Sequence, residues 1–235
     1  MARTIVIGDV HGCAAELSDL LDRLALSELD RVVFVGDLVA RGPDSEGVLA
    51  RVRALGAHAV RGNHEERLLQ ARAARKRGEA GPRLGGSHTR LLSSLAEHDW
   101  ALLEALPYKL ELPEHDLRVV HAGVLPGIAW EEQDPWVVTH IRSIADDGSA
   151  SHRWGKPWGA AYVGPPHIVF GHNAQRDVQL HADASGIDTG CVYGGALTAL
   201  VLPTGARVPA LDCRRDALVS VPARRQYSDY GRSLP

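Results

Sequence analysis

Cysteine is scarce in this chain and poorly spaced for cross-linking. Cys13, Cys191 and Cys213 are the only three, and no Cys-x-x-Cys occurs. An odd number without that spacing argues against a disulfide framework and against a structural zinc knuckle. Lysine is nearly absent beside arginine, with Lys76, Lys109 and Lys156 alone; we read this as a compositional bias without a function attached. No run approaches the roughly 20 apolar residues that a membrane helix needs. The opening Met1-Ala2-Arg3-Thr4-Ile5-Val6-Ile7-Gly8 offers no stretch long enough for a secretory leader. A net charge of −3 creates no strong global field toward nucleic acid or membrane. No repeat of solenoid length is present. These absences point to a cytoplasmic, reducing location, with neither a membrane nor a nucleic acid as partner.

What the chain does have is a set of glycine-flanked polar fragments at the ends of apolar runs. The first is Gly8-Asp9-Val10-His11-Gly12, directly after Thr4-Ile5-Val6-Ile7. A β-branched run followed by glycine reads as a buried strand ending in a loop. Four more fragments follow: Gly36-Asp37-Leu38-Val39-Ala40-Arg41-Gly42, Gly62-Asn63-His64-Glu65, His121-Ala122-Gly123 and Gly171-His172-Asn173. One buried Asp or His is ordinarily a cap or a hydrogen-bonded core group. Five such fragments in succession make that reading improbable for the set.

The segments between them fix the class. Leu17, Leu20, Leu21 and Leu24 recur at helical spacing over about 14–26, Arg31–Val35 is a second strand, Val48, Leu49, Val52 and Leu55 form a second helical stripe, and Ala57–Arg61 is a short third strand. This βαβαβ rhythm implies parallel strands with helices on the faces, and ligands gather beyond the carboxyl ends of such strands. A basic helix with Arg67, Arg72, Arg75, Lys76 and Arg77 reads as a solvated face, 78–86 as a flexible connection, and 91–106 as two short helices. A hairpin over 108–120 feeds His121. Residues 124–166 read as irregular, with four of the five tryptophans: Trp130, Trp136, Trp154 and Trp158. Aromatic side chains stack on bases, but the expectation here is burial to close a loop-rich lid. Strands are expected at 168–170, 178–180, 196–202 and 206–211. The predicted architecture is α/β, with two sheets face to face and helices outside, as one domain over 1–222 followed by a loosely held polar tail, 223–235.

Asp9, His11, Asp37, Asn63, His121 and His172 are then the candidate ligands. Oxygen and imidazole without thiolate suit manganese first, with iron, zinc, cobalt or nickel also compatible. Six ligands are many for one ion and natural for two sharing a carboxylate. Two divalent ions ~3.5–4 Å apart clamp an in-line displacement at phosphorus and bring a water to hydroxide near neutral pH. Arg41 can offer a bidentate fork to phosphate, and His64 can donate a proton to a leaving oxygen. Arg142 is either a second clamp or a surface arginine.

These fragments resemble the motifs of the calcineurin-like metallophosphoesterases, phosphoprotein-phosphatase branch. The resemblance implies a central β-sandwich flanked by helices, Asp9, His11 and Asp37 on one metal, and Asp37, Asn63, His121 and His172 on the other. It further implies Arg41 and Arg142 on phosphate and His64 as general acid. The protein phosphatases carry Asp, which orients the catalytic His, where this chain has Ala40. The form Gly36–Pro43, with the stretch from Ile187 to Thr198, is instead similar to the symmetrical diadenosine tetraphosphatase (ApaH-type) subgroup. That similarity implies symmetrical hydrolysis of a dinucleoside polyphosphate to two nucleoside diphosphates; a protein phosphatase or phosphomonoesterase of the same family is the alternative.

Overall fold

The computed structural model describes residues 2–230. In chain order it forms β1 (Arg3–Ile7), α1 (Ala14–Leu24), β2 (Arg31–Phe34), α2 (Ser45–Ala54), β3 (His58–Ala59), α3 (Asn63–Arg77), α4 (Gly86–Ser94) and α5 (Glu97–Ala105). There follow β4 (Lys109–Leu112), β5 (Leu117–Val120), α6 (Pro135–His140), β6 (Ser143–Ile144), β7 (Ala150–Ser151) and β8 (Lys156–Pro157). The last strands are β9 (His167–Phe170), β10 (Gln179–Leu180), β11 (Ala184–Gly186), β12 (Ala196–Pro203) and β13 (Leu218–Pro222).

Two five-stranded sheets carry the fold, in the orders β13-β12-β1-β2-β3 and β10-β11-β9-β5-β4. In the first, β1, β2 and β3 run parallel; in the second, β5, β9 and β11 do. Strand side chains alternate between faces, and the alternation sorts the core. Ile5 and Ile7 pack with Leu17, Leu20 and Leu24 of α1. Val6 and Val33 turn the other way, onto Val119 and Val169 of the second sheet. Ile168 and Phe170, on the outer face of that sheet, pack with Val138, Ile141 and Trp158. β1, β2, β3, β5 and β9 all end at one rim, and each leads into one of the five fragments.

The structure corrects several expectations. Residues 206–211 are not a strand: Ala206 N–H bonds back to Pro203 C=O, and Pro209 has no N–H to give a ladder. β13 occupies the edge instead, antiparallel to β12. The 124–166 segment is not wholly irregular. It holds α6, capped by Asp134 with Pro135 in its first turn, and the small sheet β7-β6-β8. Arg72 does not belong to a solvated face; it is buried between Glu97 and Glu104, with Trp100 under its guanidinium. Residues 223–230 are not a loose tail. Ala223 N–H bonds to Gly195 C=O at 2.8 Å, and Arg224 N–H and the Tyr227 hydroxyl both donate to Glu16, at 2.9 and 2.7 Å. The remainder of the expected tail, 231–235, lies outside the described residues. Among the described residues no helix is long and apolar enough to cross a membrane.

One histidine away from the site makes stability pH-dependent. Burial and the Arg214 guanidinium hold His167 down to about 3. The unfolded chain therefore takes up a proton near 6.5 that the folded chain refuses, so stability falls as pH falls from 6.5 toward 3. In chelator-treated protein, His167→Gln is expected to lose less melting temperature than wild type between pH 7 and 5. Parallel curves would contradict the assignment.

Candidate active site

Four of the five fragments pass through positive-φ backbone as they leave their strands. Seven non-glycine residues among those described have positive φ, and five of them are His11, Asp37, Ala40, Arg41 and His172. Such backbone costs about 1–3 kcal/mol per residue and persists only where its surroundings over-determine it. The flanking glycines leave room for the carboxylates: a Cβ on Gly171 would run into Asp9 Oδ1, and one on Gly62 into Asp37 Oδ1.

The five fragments meet at one centre. His121 Nδ1 donates to Val35 C=O at 2.9 Å and His11 Nδ1 to Val39 C=O at 3.2 Å. These bonds fix both tautomers and leave both Nε2 lone pairs facing inward. They converge on Asp37 Oδ2, His121 at 3.4 Å and His11 at 3.5 Å. Asn63 Oδ1 lies 3.1 Å from His121 Nε2 and 3.0 Å from His172 Nδ1. Asp9 Oδ2 is 4.0 Å from His11 Nε2, and both Asp9 oxygens accept from His172 N–H. Donor groups able to hold a metal ion form on both sides of Asp37: His11, Asp37 and His64 on one, Asp37, His121 and His172 on the other. His64, rather than Asp9, completes the first of these groups.

The electrostatics favour added positive charge. Burial, with Asp188 and Asp37 nearby, pushes Asp9 well above the usual carboxylate range. Burial pushes Asp188 up to about 6 and Glu65 up to about 7. Against the same burial, His121 does most to hold Asp37 well below its usual value. Four buried carboxylates cannot all ionise together unless cations join them. The donor set, its fixed lone pairs and this charge deficit all fit two divalent ions sharing Asp37.

The two arginines lie at this centre. Arg41 Nη1 reaches His11 Nε2 at 2.9 Å, and its guanidinium lies 5.4 Å from the Tyr193 ring centroid. Arg142 Nη1 donates to Asn173 Oδ1 at 2.8 Å, next to His172, so it is drawn to the rim. With Ala40 unable to orient His64, ring packing holds it. His88 stacks on it at 4.8 Å and 24°, and His11 meets it edge-on at 4.7 Å. Its Nδ1 is buried without a partner.

Four contributors escape a reading of the sequence. Glu65, Asn173 and Asp188 sit inside the fragments and the 187–198 stretch, but no spacing rule assigns them a role. His88 carries no local signal, because α4 brings it in through space. Glu65 does the most to hold the loops together. Its carboxylate accepts from the N–H groups of Asp37, Leu38, Val39 and Gly62, at 2.9–3.1 Å. Glu65→Ala strands four buried donors and is expected to cost on the order of 3–5 kcal/mol. It should also weaken manganese binding about 10–100-fold. Denaturant unfolding of metal-free protein and a manganese titration check this; an unchanged unfolding midpoint would contradict it.

Residues 2–184 match the family model described as calcineurin-like phosphoesterase. The chain belongs to that family. Its members are dimetal hydrolases, and the two donor groups around Asp37 can hold metal here. Serine/threonine-protein phosphatase 1 of Salmonella typhimurium is 32% identical over 216 residues, covering 82% of this chain and 88% of the relative. The asymmetrical bis(5'-nucleosyl)-tetraphosphatase PrpE of Halalkalibacterium halodurans is 32% identical over 94% of each chain. The symmetrical bis(5'-nucleosyl)-tetraphosphatase of Ralstonia nicotianae is 31% identical over 89% of this chain and 93% of its own. A crystal structure of a proposed diadenosine tetraphosphatase superposes with a TM-score of 0.80 at 35% identity, covering 94% and 93% of the two chains. The fold and the hydrolase class expected from the five fragments are those of this family.

Proposed function

We propose that this phosphoesterase hydrolyses dinucleoside tetraphosphates, cleaving diadenosine tetraphosphate symmetrically into two ADP, with two divalent cations and manganese the first choice. The observation that carries the reading is the placement of the 187–198 stretch next to the candidate centre. It sets the Asp188 carboxylate in the electrostatic field of Asp9 and the Tyr193 ring beside Arg41. This is the stretch, with Ala40, in which the chain resembles the tetraphosphatase subgroup. The symmetrical relative and the solved tetraphosphatase-like structure support the same reading.

When bound, the two cations polarise phosphoryl oxygens and make water nucleophilic near neutral pH. The chain's own residues do the rest. Asp9, His11 and Asp37 would hold one cation, and Asp37, Asn63, His121 and His172 the other. Arg41, steadied by Tyr193, and Arg142, steadied by Asn173, hold the equatorial phosphoryl oxygens. As the water oxygen bonds to phosphorus and releases a proton to solvent, the bond from that phosphorus to the bridging oxygen breaks, and His64 gives its proton to the departing oxygen. Burial and Arg41 keep His64 neutral in the resting site. The negative charge of the incoming polyphosphate raises its proton affinity, so its protonation follows substrate binding.

The Salmonella relative favours a second reading, hydrolysis of a phosphoprotein or a small phosphomonoester at the same centre. A panel of diadenosine tetraphosphate, a phosphoserine peptide and p-nitrophenyl phosphate, run on manganese-loaded protein, separates the two. The first reading requires the dinucleotide to have the highest kcat/KM and to yield ADP alone. ATP plus AMP as products would replace symmetrical with asymmetrical cleavage. A preference for the phosphopeptide would overturn the nucleotide reading.

A further inference from the structure

The four tryptophans of the 124–166 segment divide sharply. Trp130 and Trp158 are buried, as expected for closure, but Trp136 is 43% and Trp154 39% exposed. Trp136 lines a groove of about 300 Å³ between α3 and α6, with Glu66, Gln70, Tyr108, Thr139 and His140. That is the lower end of ligand-site volumes, enough for one nucleoside.

The groove lies beside the candidate metal centre. The His140 ring stands 6.5 Å from the His172 ring. One turn of α6 away, Trp136 stacks on His140, with centroids 5.6 Å apart and planes 3° from parallel. The backbone carrying the indole is fixed, because Trp136 N–H donates to Asp134 Oδ1 at 2.7 Å and Pro135 starts the helix. The His152 ring meets the indole at 6.2 Å and 87°, and the flat surface still left half open beside the proposed phosphate centre suits a flat aromatic ligand, since a pre-set stacking surface needs no induced order. The opposite wall is polar. Glu66 accepts from Gln70 Nε2 at 2.9 Å and from the Tyr108 hydroxyl at 2.8 Å. This leaves Gln70 Oε1 as an acceptor for an exocyclic amine.

We propose that this groove is the nucleobase subsite. The purine of the nucleotide whose phosphate lies at the metal centre stacks on the Trp136–His140 pair, with its amine toward Gln70 and Glu66. The inference rests on the nucleotide reading above and gives it a recognition element.

The test measures binding, so it does not depend on turnover. AMP and ribose 5-phosphate share a sugar phosphate and differ in the base. Titration calorimetry on manganese-loaded protein should give AMP an affinity about tenfold or more above that of ribose 5-phosphate. Trp136→Ala should bring the two within about twofold, while Trp136→Phe should retain most of the gap. Gln70→Leu, on a different helix, should narrow the gap in part and guards against a folding artefact at α6. Equal affinities in the wild type would overturn the proposal. So would a gap that survives Trp136→Ala, or one abolished only by Trp154→Ala. An intact preference for AMP without hydrolysis of diadenosine tetraphosphate would remove the substrate assignment and keep the subsite. Hydrolysis without that preference would remove the subsite alone.

Discussion

Asp37→Asn is expected to lower kcat/KM for every phosphate substrate by about 10³-fold or more and to weaken both cation positions together. Asp37 Oδ2 is the atom on which the His11 and His121 imidazoles converge, and Oδ1 accepts from His64 N–H at 3.0 Å. Metal ions contribute several kcal/mol of charge stabilisation at a transferring phosphoryl group, and about 4 kcal/mol is three factors of ten. Asparagine keeps the shape and removes the charge, so folding should survive. The expected signature is a common fall across diadenosine tetraphosphate and p-nitrophenyl phosphate, together with fewer manganese ions retained after dialysis. Full activity, or the loss of one cation with the other bound normally, would contradict a shared carboxylate.

His64→Ala is expected to cost about 10²–10⁴-fold in kcat while leaving both cations bound. The loss should depend on the leaving group. Phenyl phosphate, whose departing oxygen needs a proton, should suffer more than p-nitrophenyl phosphate, whose departing oxygen does not. His88→Ala should give a smaller loss of the same character, because His88 stacks on His64 and belongs to neither donor group around Asp37. Equal losses on both esters would remove proton donation and leave His64 as a ligand or a packing element, a role its closeness to His11 and Asp37 would permit.

The elements that place these residues are legible in the sequence because they obey strong local rules. Thr4–Ile7 and Arg31–Val35 are covered on both faces, so they appear as continuous β-branched runs, and each ends in the glycine that its ligand loop requires. Residues 206–211 imitate a strand because apolar alternation also occurs in a loop pinned by Pro209. The edge strand Leu218–Pro222 gives little signal; it is partly exposed and follows the charged run Asp212–Asp216. In the site, Asp37 and His121 announce themselves through their fragments, whereas His88 cannot, since only the packing of α4 on α3 brings it to His64. Trp136 and Trp158 look alike as letters. Whether an indole fills the core or lines a groove depends on which face of the outer layer it meets, and no periodicity within 124–166 encodes that.

The most direct test of the shared centre is electron paramagnetic resonance on protein reconstituted with manganese, alongside elemental analysis. Two ions per chain with an exchange-coupled spectrum, and occupancy lost at both positions together in Asp37→Asn, is the predicted result. A single ion in the wild type, or two ions whose spectra show no coupling, would contradict a binuclear site bridged at Asp37.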